Sequence, residues 1–351
     1  MSAEIPCSSS SELVDIGKPI VAKMPWLAFG HLSGWWYPIS KRGGKSEGLE
    51  ECLSRWKGED KKTWQKITWV ELIGRSLFLV AEREWDGSAE TCHIHGLLHG
   101  FTISEGRKRN FLEIYNEVST RTSSTTASWL AIRNETADSL NKSTPNIRSL
   151  FCFNRALKLV DVKVLKYLNL KSTLISVLPP SIDKIYNLET LLLPLNTCLP
   201  KAIWRLHQLK HLDAYNCTFE GGGSWIEEKS LTSLGGLRNL MIGWRINSQM
   251  KGIASFIGKL VNLQSLGLDD IEHSEVLLLP SLQHHLHLSE SVRLERLPGL
   301  PPTLTKLLLS FSRLEEDPMP TLEMLKNLHS LSISCDSYTG RKMISSAHGF
   351  P

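Results

Sequence analysis

Long apolar runs, a secretory signal and closely paired cysteines are all missing from this sequence of 351 residues. No stretch approaches the roughly 18 consecutive apolar residues that a membrane-spanning helix requires. The polar, serine-rich N-terminus lacks the apolar segment that a signal peptide carries after its basic start. These absences predict a cytoplasmic protein without a membrane span.

The cysteines are odd in number and widely spaced, and none of the seven forms a CxxC pair. Disulfide frameworks and structural zinc sites use closely and regularly spaced cysteines, so the sequence predicts a reduced protein. His95 and His99 have the i, i+4 spacing of zinc ligands, but no carboxylate stands at a matching step. We therefore predict no metal site.

Charge of one sign is scarce as well, because 40 basic residues face 36 acidic ones and leave a net charge of +4. So small an excess lacks the electrostatic footprint of nucleic-acid-binding proteins, and no nucleic-acid partner is predicted. No Ser/His/Asp, Cys/His or paired-carboxylate arrangement has a context that suggests catalysis, so the chain is not predicted to be an enzyme.

Leucine at a regular spacing is what the sequence does have, most clearly between Leu165 and Cys217. Apolar residues recur there at i, i+3 and i+5, which is typical of a short strand followed by a turn. One such unit cannot bury its own apolar row and must stack on its neighbours. The units start 20 to 28 residues apart, at Leu165, Leu188, Leu209, Leu237, Leu263, Gln283, Leu304 and Leu328.

This period predicts an α/β leucine-rich-repeat solenoid, a right-handed horseshoe, over residues 127–336. Asn196 and Cys217 lie eight residues after the first leucine of their units. We expect both side chains to point inward and to bond the loop backbone. The tail 337–351 has no obvious cap, so the last coil is expected to expose an apolar edge.

The residues before the repeats have a different pattern. Residues 1–25 are polar and expected to be mobile, and 118–126 form a polar linker. Between them, 26–117 are predicted to form a small helical domain of winged-helix type. Its elements are helices at 48–57 and 61–73, a hairpin of Ser76–Glu82 with Thr91–His95, and a helix with Leu97, Leu98 and Phe101 facing inward.

Two segments of that domain carry a family likeness. Glu71–Val80 (ELIGRSLFLV) and Thr91–Ser104 (TCHIHGLLHGFTIS), together with the LPxxI spacing at Leu178 and Leu199, resemble plant NB-ARC leucine-rich-repeat (NLR) disease resistance proteins of the coiled-coil type. The resemblance implies a winged-helix remnant of the NB-ARC module followed by recognition repeats. It also implies a role in plant innate immunity.

The nucleotide-binding part of that family has no counterpart in the sequence. Gly43-Gly44-Lys45-Ser46 is not a phosphate loop, because Ile39 stands where the loop requires glycine. We therefore expect a truncated member with its nucleotide switch lost and without a cofactor, although intact members bind ADP or ATP. The resemblance makes His95 a candidate nucleotide contact in a degenerate Met-His-Asp-type motif, where Gly96 replaces the aspartate.

The concave face of the horseshoe is the predicted functional site. We expect its polar and aromatic side chains to bind a protein, either a pathogen effector or a guarded host protein. The candidate residues are Tyr167, Lys171, His211, Asp213, Tyr215, Trp244, Arg245, His285 and His287. Two alternatives stay open: a nucleotide-switch ATPase of the same family that binds ADP or ATP, and an intracellular repeat scaffold without an immune role.

Overall fold

A computed structural model describes residues 78–83, 89–94, 100, 103–104, 106–108, 110–115, 126–132, 146–153, 162–220, 234–243, 257–269, 282, 284–289, 296–297, 299–334 and 336–345. The chain divides into two compact units, Met1–Arg133 and Asn134–Pro351. The predicted helices at 48–57 and 61–73, the segment 1–25 and residues 118–125 of the predicted linker lie outside the described residues.

The predicted hairpin of the first unit is confirmed. Strand β1 (Phe78–Arg83) pairs antiparallel with β2 (Ala89–Ile94), so that Phe78 lies opposite Ile94. The helix expected after it is described only in part, and residues 106–108 are helical. Leu97, Leu98 and Phe101, which were expected to face inward, lie outside the described residues. The winged-helix domain as a whole therefore stays a prediction.

A parallel pair of strands follows in the same unit. Strand β3 (Leu112–Tyr115) pairs in parallel with β4 (Trp129–Ile132), and the rings of Phe111 and Trp129 lie 5.0 Å apart. Parallel pairing of consecutive strands is the arrangement of a repeat coil. Leu112–Tyr115 lie within the predicted winged-helix domain, residues 26–117, rather than within the predicted repeats, residues 127–336.

The second unit is a parallel sheet in which each strand pairs with the next one along the chain. Its strands are β5 (Ser149–Cys152), β6 (Tyr167–Asn169), β7 (Thr190–Leu192), β9 (His211–Ala214), β11 (Asn239–Gly243), β12 (Ser265–Asp269), β13 (His285–Ser289), β14 (Lys306–Ser310) and β15 (Ser330–Ser334). Short strands β8 (Cys198–Leu199) and β10 (Thr218–Phe219) pair in parallel as a separate small sheet.

Short helical turns connect the strands. The 3-10 helices Pro180–Lys184 and Lys201–Arg205 and the α-helix Met319–Leu322 fill three of these connections. The first two follow Pro179 and Pro200, whose extended backbone ends the preceding segment. Each of these helices buries apolar side chains, Ile182, Ile203 and Leu322, against the repeat core. The predicted leucine-rich-repeat solenoid is confirmed.

The core consists of the predicted leucine rows. The central leucines Leu168, Leu191, Leu212, Leu240, Leu266, Leu286 and Leu307 are each at most 1% exposed. They are also in register from strand to strand. Burying a leucine side chain stabilises a fold by about 1.5–3 kcal/mol, so these rows supply most of the favourable energy of stacking.

Buried polar side chains form a second row inside the coils. Thr173, Thr197, Cys217, Ser312 and Ser337 are all at most 4% exposed. Each donates a hydrogen bond to a backbone carbonyl, and four of them reach the preceding coil: Thr197 Oγ1 to Ile175 O at 3.1 Å, Cys217 Sγ to Pro194 O at 3.6 Å, Ser312 Oγ to Leu288 O at 3.4 Å and Ser337 Oγ to Leu309 O at 2.8 Å. Burial raises the pKa of the Cys217 thiol to about 11, so the donor proton is retained at neutral pH.

The expectation for Cys217 is confirmed, but the one for Asn196 is wrong. Asn196 is exposed, and the inward position belongs to Thr197, whose hydroxyl donates to Pro194 O at 2.9 Å and to Ile175 O at 3.1 Å. This coil carries one more residue before the inward position than its neighbours. Asn196 directly precedes the inward position and has a left-handed φ of 61°, a conformation that asparagine tolerates.

Asparagine side chains link the coils at a different corner. Asn187, Asn262 and Asn327 each donate through the side-chain amide to a carbonyl of the preceding coil, at 2.7, 2.6 and 2.8 Å. The acceptors are the carbonyls of Lys163, Gly235 and Pro302. In all three cases the asparagine directly precedes the first leucine of its unit. Neighbouring coils are therefore joined by polar bonds on two sides of the leucine core.

The end of the solenoid agrees in part with the expected apolar edge. Leu331 and Ile333 of β15 are only half-buried. The segment after β15 nevertheless bonds to the last connection, since Ile344 N donates to Asp317 Oδ2 at 2.7 Å and Ser345 Oγ donates to Glu323 Oε1 at 3.0 Å. The connecting side of the last coil is thus covered by residues 337–345.

The inward hydroxyl of Thr197 is expected to contribute measurably to stability. Thr197→Val keeps the side-chain shape but removes both donated bonds and leaves buried carbonyls without this donor. We expect a loss of about 1–2 kcal/mol in the free energy of unfolding, measured by urea denaturation followed by circular dichroism. Thr218→Val is the matched control because Thr218 is exposed. Equal midpoints for both variants would contradict the structural role of this row.

Candidate functional site

Two rows of side chains cross the face of the sheet that lies opposite the leucine core. Strand side chains alternate between faces, so the residues on either side of each buried central leucine share this outer, concave face. Strand register fixes the rows. The first row is Tyr167, Thr190, His211, Asn239, Ser265, His285, Lys306 and Ser330. The second row is Asn169, Leu192, Asp213, Met241, Gly267, His287, Leu308 and Ser332.

The structure brings most of the predicted site residues onto this face. Tyr167, His211 and His285 belong to the first row, while Asp213 and His287 belong to the second. Lys171 and Tyr215 follow the ends of their strands and are half-buried. Trp244 and Arg245 lie outside the described residues, as do His95 and Gly96, so their predicted roles stay predictions.

Two of the predicted residues are not exposed, contrary to expectation. Asp213 is 7% and His285 4% exposed, whereas Tyr167, His211 and His287 are intermediate. Period alone assigns a side chain to a face but does not reveal how far its neighbours on that face cover it. Asp213 and His285 are therefore largely covered by the side chains around them.

Asp213 forms an ion pair with Lys171 on this side of the sheet. Lys171 Nζ lies 2.8 Å from Asp213 Oδ2, and the two residues are 42 positions apart in the chain. Burial lowers the pKa of Lys171, although the Asp213 carboxylate acts in the opposite direction. A buried ion pair of this kind holds a fixed geometry and adds little net stability, because desolvation offsets its attraction.

The aromatic and apolar residues of the rows are packed rather than loose. The Tyr167 ring lies 5.0 Å from that of Phe151. A Cβ added at Gly267 would lie 2.4 Å from Met241 Cε, so the Met241 side chain covers this glycine. The second row therefore carries a thioether between Asp213 and His287, which makes the middle of the face mixed apolar and polar.

Several residues of these rows were not among the predicted site residues, including Thr190, Ser265 and Gly267. The available signal was the alignment of the units on their first leucine, which places Thr190 level with Tyr167 and Gly267 level with Asp213. Aromatic and charged residues were preferred as interface candidates, and that preference passed over the small residues between them. The contour of the face depends on both kinds.

Within the described residues, no helix has the length and apolar character needed to cross a membrane. In that same part of the chain, no group of three or more His, Cys, Asp or Glu side chains is arranged to hold a metal ion.

Comparison with known proteins gives a consistent result. Residues 156–351, more than half of the chain, match the family model described as "Leucine-rich repeat region". The probable disease resistance proteins RF9 and RXW24L of Arabidopsis thaliana are 24% and 25% identical over 81% and 87% of this chain. Disease resistance protein RPP8 of the same plant is 25% identical over 80% of this chain. The resemblance to plant disease resistance proteins is confirmed.

The chain spans 34%, 41% and 39% of the length of these three relatives, which is well under half. Among solved structures, a leucine-rich-repeat protein of Leptospira interrogans is 22% identical with a TM-score of 0.42, over 61% of this chain and 62% of that one. Internalin C2 of Listeria monocytogenes is 17% identical with a TM-score of 0.36, over 54% of this chain and 72% of that one.

Breaking the Lys171–Asp213 pair on one side is expected to destabilise the sheet. Lys171→Met removes the ammonium group and leaves a buried carboxylate without it, which should lower the free energy of unfolding by about 1.5–3 kcal/mol. Adding Asp213→Asn removes the buried charge as well and should recover most of that loss. Urea denaturation of both variants and the wild type measures the two effects. Unchanged stability of the single variant would show that the pair contributes nothing.

Proposed function

We propose that this chain, which belongs to the leucine-rich-repeat-region family, serves in plant defence by binding a protein partner on its concave face. The partner is either a pathogen effector or a host protein that the receptor guards. The observation that carries this proposal is the strand register, which aligns Tyr167, His211 and His285 in one row and Asp213 and His287 in the next. Rows of this kind supply the aromatic, polar and charged groups that dominate interface energies.

The geometry supports recognition for a second reason. The Lys171–Asp213 pair and the Phe151–Tyr167 ring contact hold side chains in place before a partner arrives. Preorganised side chains lose less conformational entropy on binding, so more of the contact energy is available for affinity. The relatives named as disease resistance proteins support the defence role.

Two further parts of the proposal concern enzymatic activity and nucleotide binding. We propose that it is not an enzyme and that it needs no nucleotide for partner binding. His95 would meet a phosphate only beside a nucleotide-binding loop, and residues 39–46 lack the glycine that such a loop needs. A cytoplasmic location fits the reduced, widely spaced cysteines, because defence against delivered effectors takes place inside the cell.

Partner binding is tested by proximity labelling in leaf tissue, with and without pathogen challenge. The first-row variant Tyr167→Ala/His211→Ala should lose specific labelled proteins, because truncating aromatic and polar anchors weakens an interface. The matched control is Tyr186→Ala/His207→Ala, which changes the same residue types at exposed positions outside the strands. Identical labelling in both variants, or losses only in the control, would sink the proposal.

Nucleotide independence is tested by thermal unfolding of the full 351-residue chain. We expect Mg²⁺-ATP and Mg²⁺-ADP to leave the unfolding temperature unchanged, because a ligand raises it only by binding the folded state. Should either nucleotide raise the temperature in a Mg²⁺-dependent manner, and should His95→Ala abolish that rise, the switch alternative would replace this part of the proposal.

A further inference from the structure

A third row of side chains runs along the N-terminal edge of the sheet, beside the first row of the concave face. It consists of the residues directly after the first leucine of each unit. Backbone bonds stack the first members on one another: Glu189 N donates to Lys166 O at 2.8 Å, Lys210 N to Glu189 O at 2.8 Å, and Arg238 N to Lys210 O at 2.8 Å. These four residues, Lys166, Glu189, Lys210 and Arg238, are called the edge row below.

The edge row is organised around one carboxylate. Lys166 Nζ lies 3.0 Å from Glu189 Oε1, and Lys210 Nζ lies 3.3 Å from Glu189 Oε2. Each oxygen of Glu189 thus holds one ammonium group. The side chain of Glu189 is 15% exposed, while those of Lys166 and Lys210 are 46% and 20% exposed. The ammonium groups are therefore fixed in position. The Glu189 side chain that holds them is less exposed than either lysine side chain.

Charge is concentrated here far beyond the average of the chain. Three cations and one carboxylate leave a net charge of +2 on four stacked residues, which is half of the formal net charge of +4 carried by 351 residues. The positions that continue the row toward the C-terminus, Gln264, His284, Thr305 and His329, carry no permanent charge, whereas Arg148, whose carbonyl accepts from Lys166 N at 2.8 Å, adds a further cation at the other end. The positive region is thus confined to one end of the edge, beside Tyr167 and His211 of the first row.

We propose that the edge row binds an acidic segment of the protein partner. The inference rests on the proposed function of the concave face and names the chemistry of its partner. Two adjacent cations, Lys210 and Arg238, lie on neighbouring strands roughly 4.8 Å apart. Carboxylates on an extended acidic segment meet such a pair at salt-bridge distance. Lysines already ordered by Glu189 lose less rotamer freedom when they take up a second anion.

An acidic protein fits this row better than a nucleic acid does. Glu189 interrupts the cations after the first position, and a continuous phosphate backbone would bring its own charges against that carboxylate. A polypeptide places an uncharged side chain there instead. A nucleic acid would also need many more neutralised phosphates than these few cations provide for appreciable affinity.

Fluorescence anisotropy with the full 351-residue chain tests this inference. The probe is a short labelled peptide of alternating glutamate and serine, titrated at low and at physiological salt. We expect the wild type to bind it and salt to weaken the binding, because exposed charges are screened. Lys166→Gln/Lys210→Gln/Arg238→Gln should reduce the affinity about tenfold at low salt.

The control removes the same three positive charges elsewhere. Lys184, Lys201 and Lys326 are exposed in the segments that connect the strands. Lys184→Gln/Lys201→Gln/Lys326→Gln should bind the peptide as the wild type does, and thermal unfolding confirms that both triple variants are folded. Equal loss in the two variants would mean that only net charge matters. No loss in either would mean that the edge row does not bind, and both results would overturn the inference.

Two further results separate this inference from the function on which it rests. A single-stranded oligonucleotide that binds more tightly than the peptide, and depends on the edge row, would overturn the acidic-protein assignment. If the peptide fails to bind while proximity labelling still depends on Tyr167 and His211, the proposed function stands and the acidic segment is wrong. If the peptide binds through the edge row but labelling does not depend on the first row, the inference about the edge row is supported. The proposal that the first row binds the partner would then be wrong.

Discussion

The inability of a single coil to bury its own leucines is the constraint on which the second unit depends. Each strand is only three to five residues long, and each presents one apolar face that a single neighbour cannot cover. Stacking in strict register solves this, because every central leucine then lies over its counterpart at 1% exposure or less from Leu168 to Leu307. The same register fixes everything on the opposite face. The arrangement of the concave face is therefore a consequence of core packing.

Polar bonds make that stacking specific. Inward hydroxyl and thiol groups from Thr173 to Ser337 satisfy loop carbonyls that the curved coils would otherwise bury without donors. Asparagines directly before the first leucine donate hydrogen bonds to carbonyls of the preceding coil at a different corner. The residue directly before the inward position has a left-handed φ at Asn196, Asn216, Phe311 and Asp336, in coils with and without an extra residue. Irregular unit lengths are thus compatible with a regular core.

Stacking of the coils also brings together charged residues that are far apart in the sequence. Lys171 and Asp213 are 42 residues apart in sequence and 2.8 Å apart in space, and Glu189 bridges two lysines that are 44 positions apart. A nearly neutral chain can therefore carry a locally positive edge beside a polar and aromatic face. This separation of charge would suit the proposed recognition role, since complementary potentials contribute to partner choice and to the rate of association.

The sequence by itself determined the repeat class, the strand positions from Leu165 to Leu328, the hairpin of β1 and β2 and the face on which Tyr167, His211 and His287 lie. These follow from period, and period is local. Burial of Asp213 and His285, the inward place of Thr197, the repeat-like pairing of Leu112–Tyr115 and the edge row were decided only by the tertiary structure. Each depends on which residues of neighbouring coils lie side by side. One residue more or less in a connecting segment changes that alignment without changing the leucine pattern.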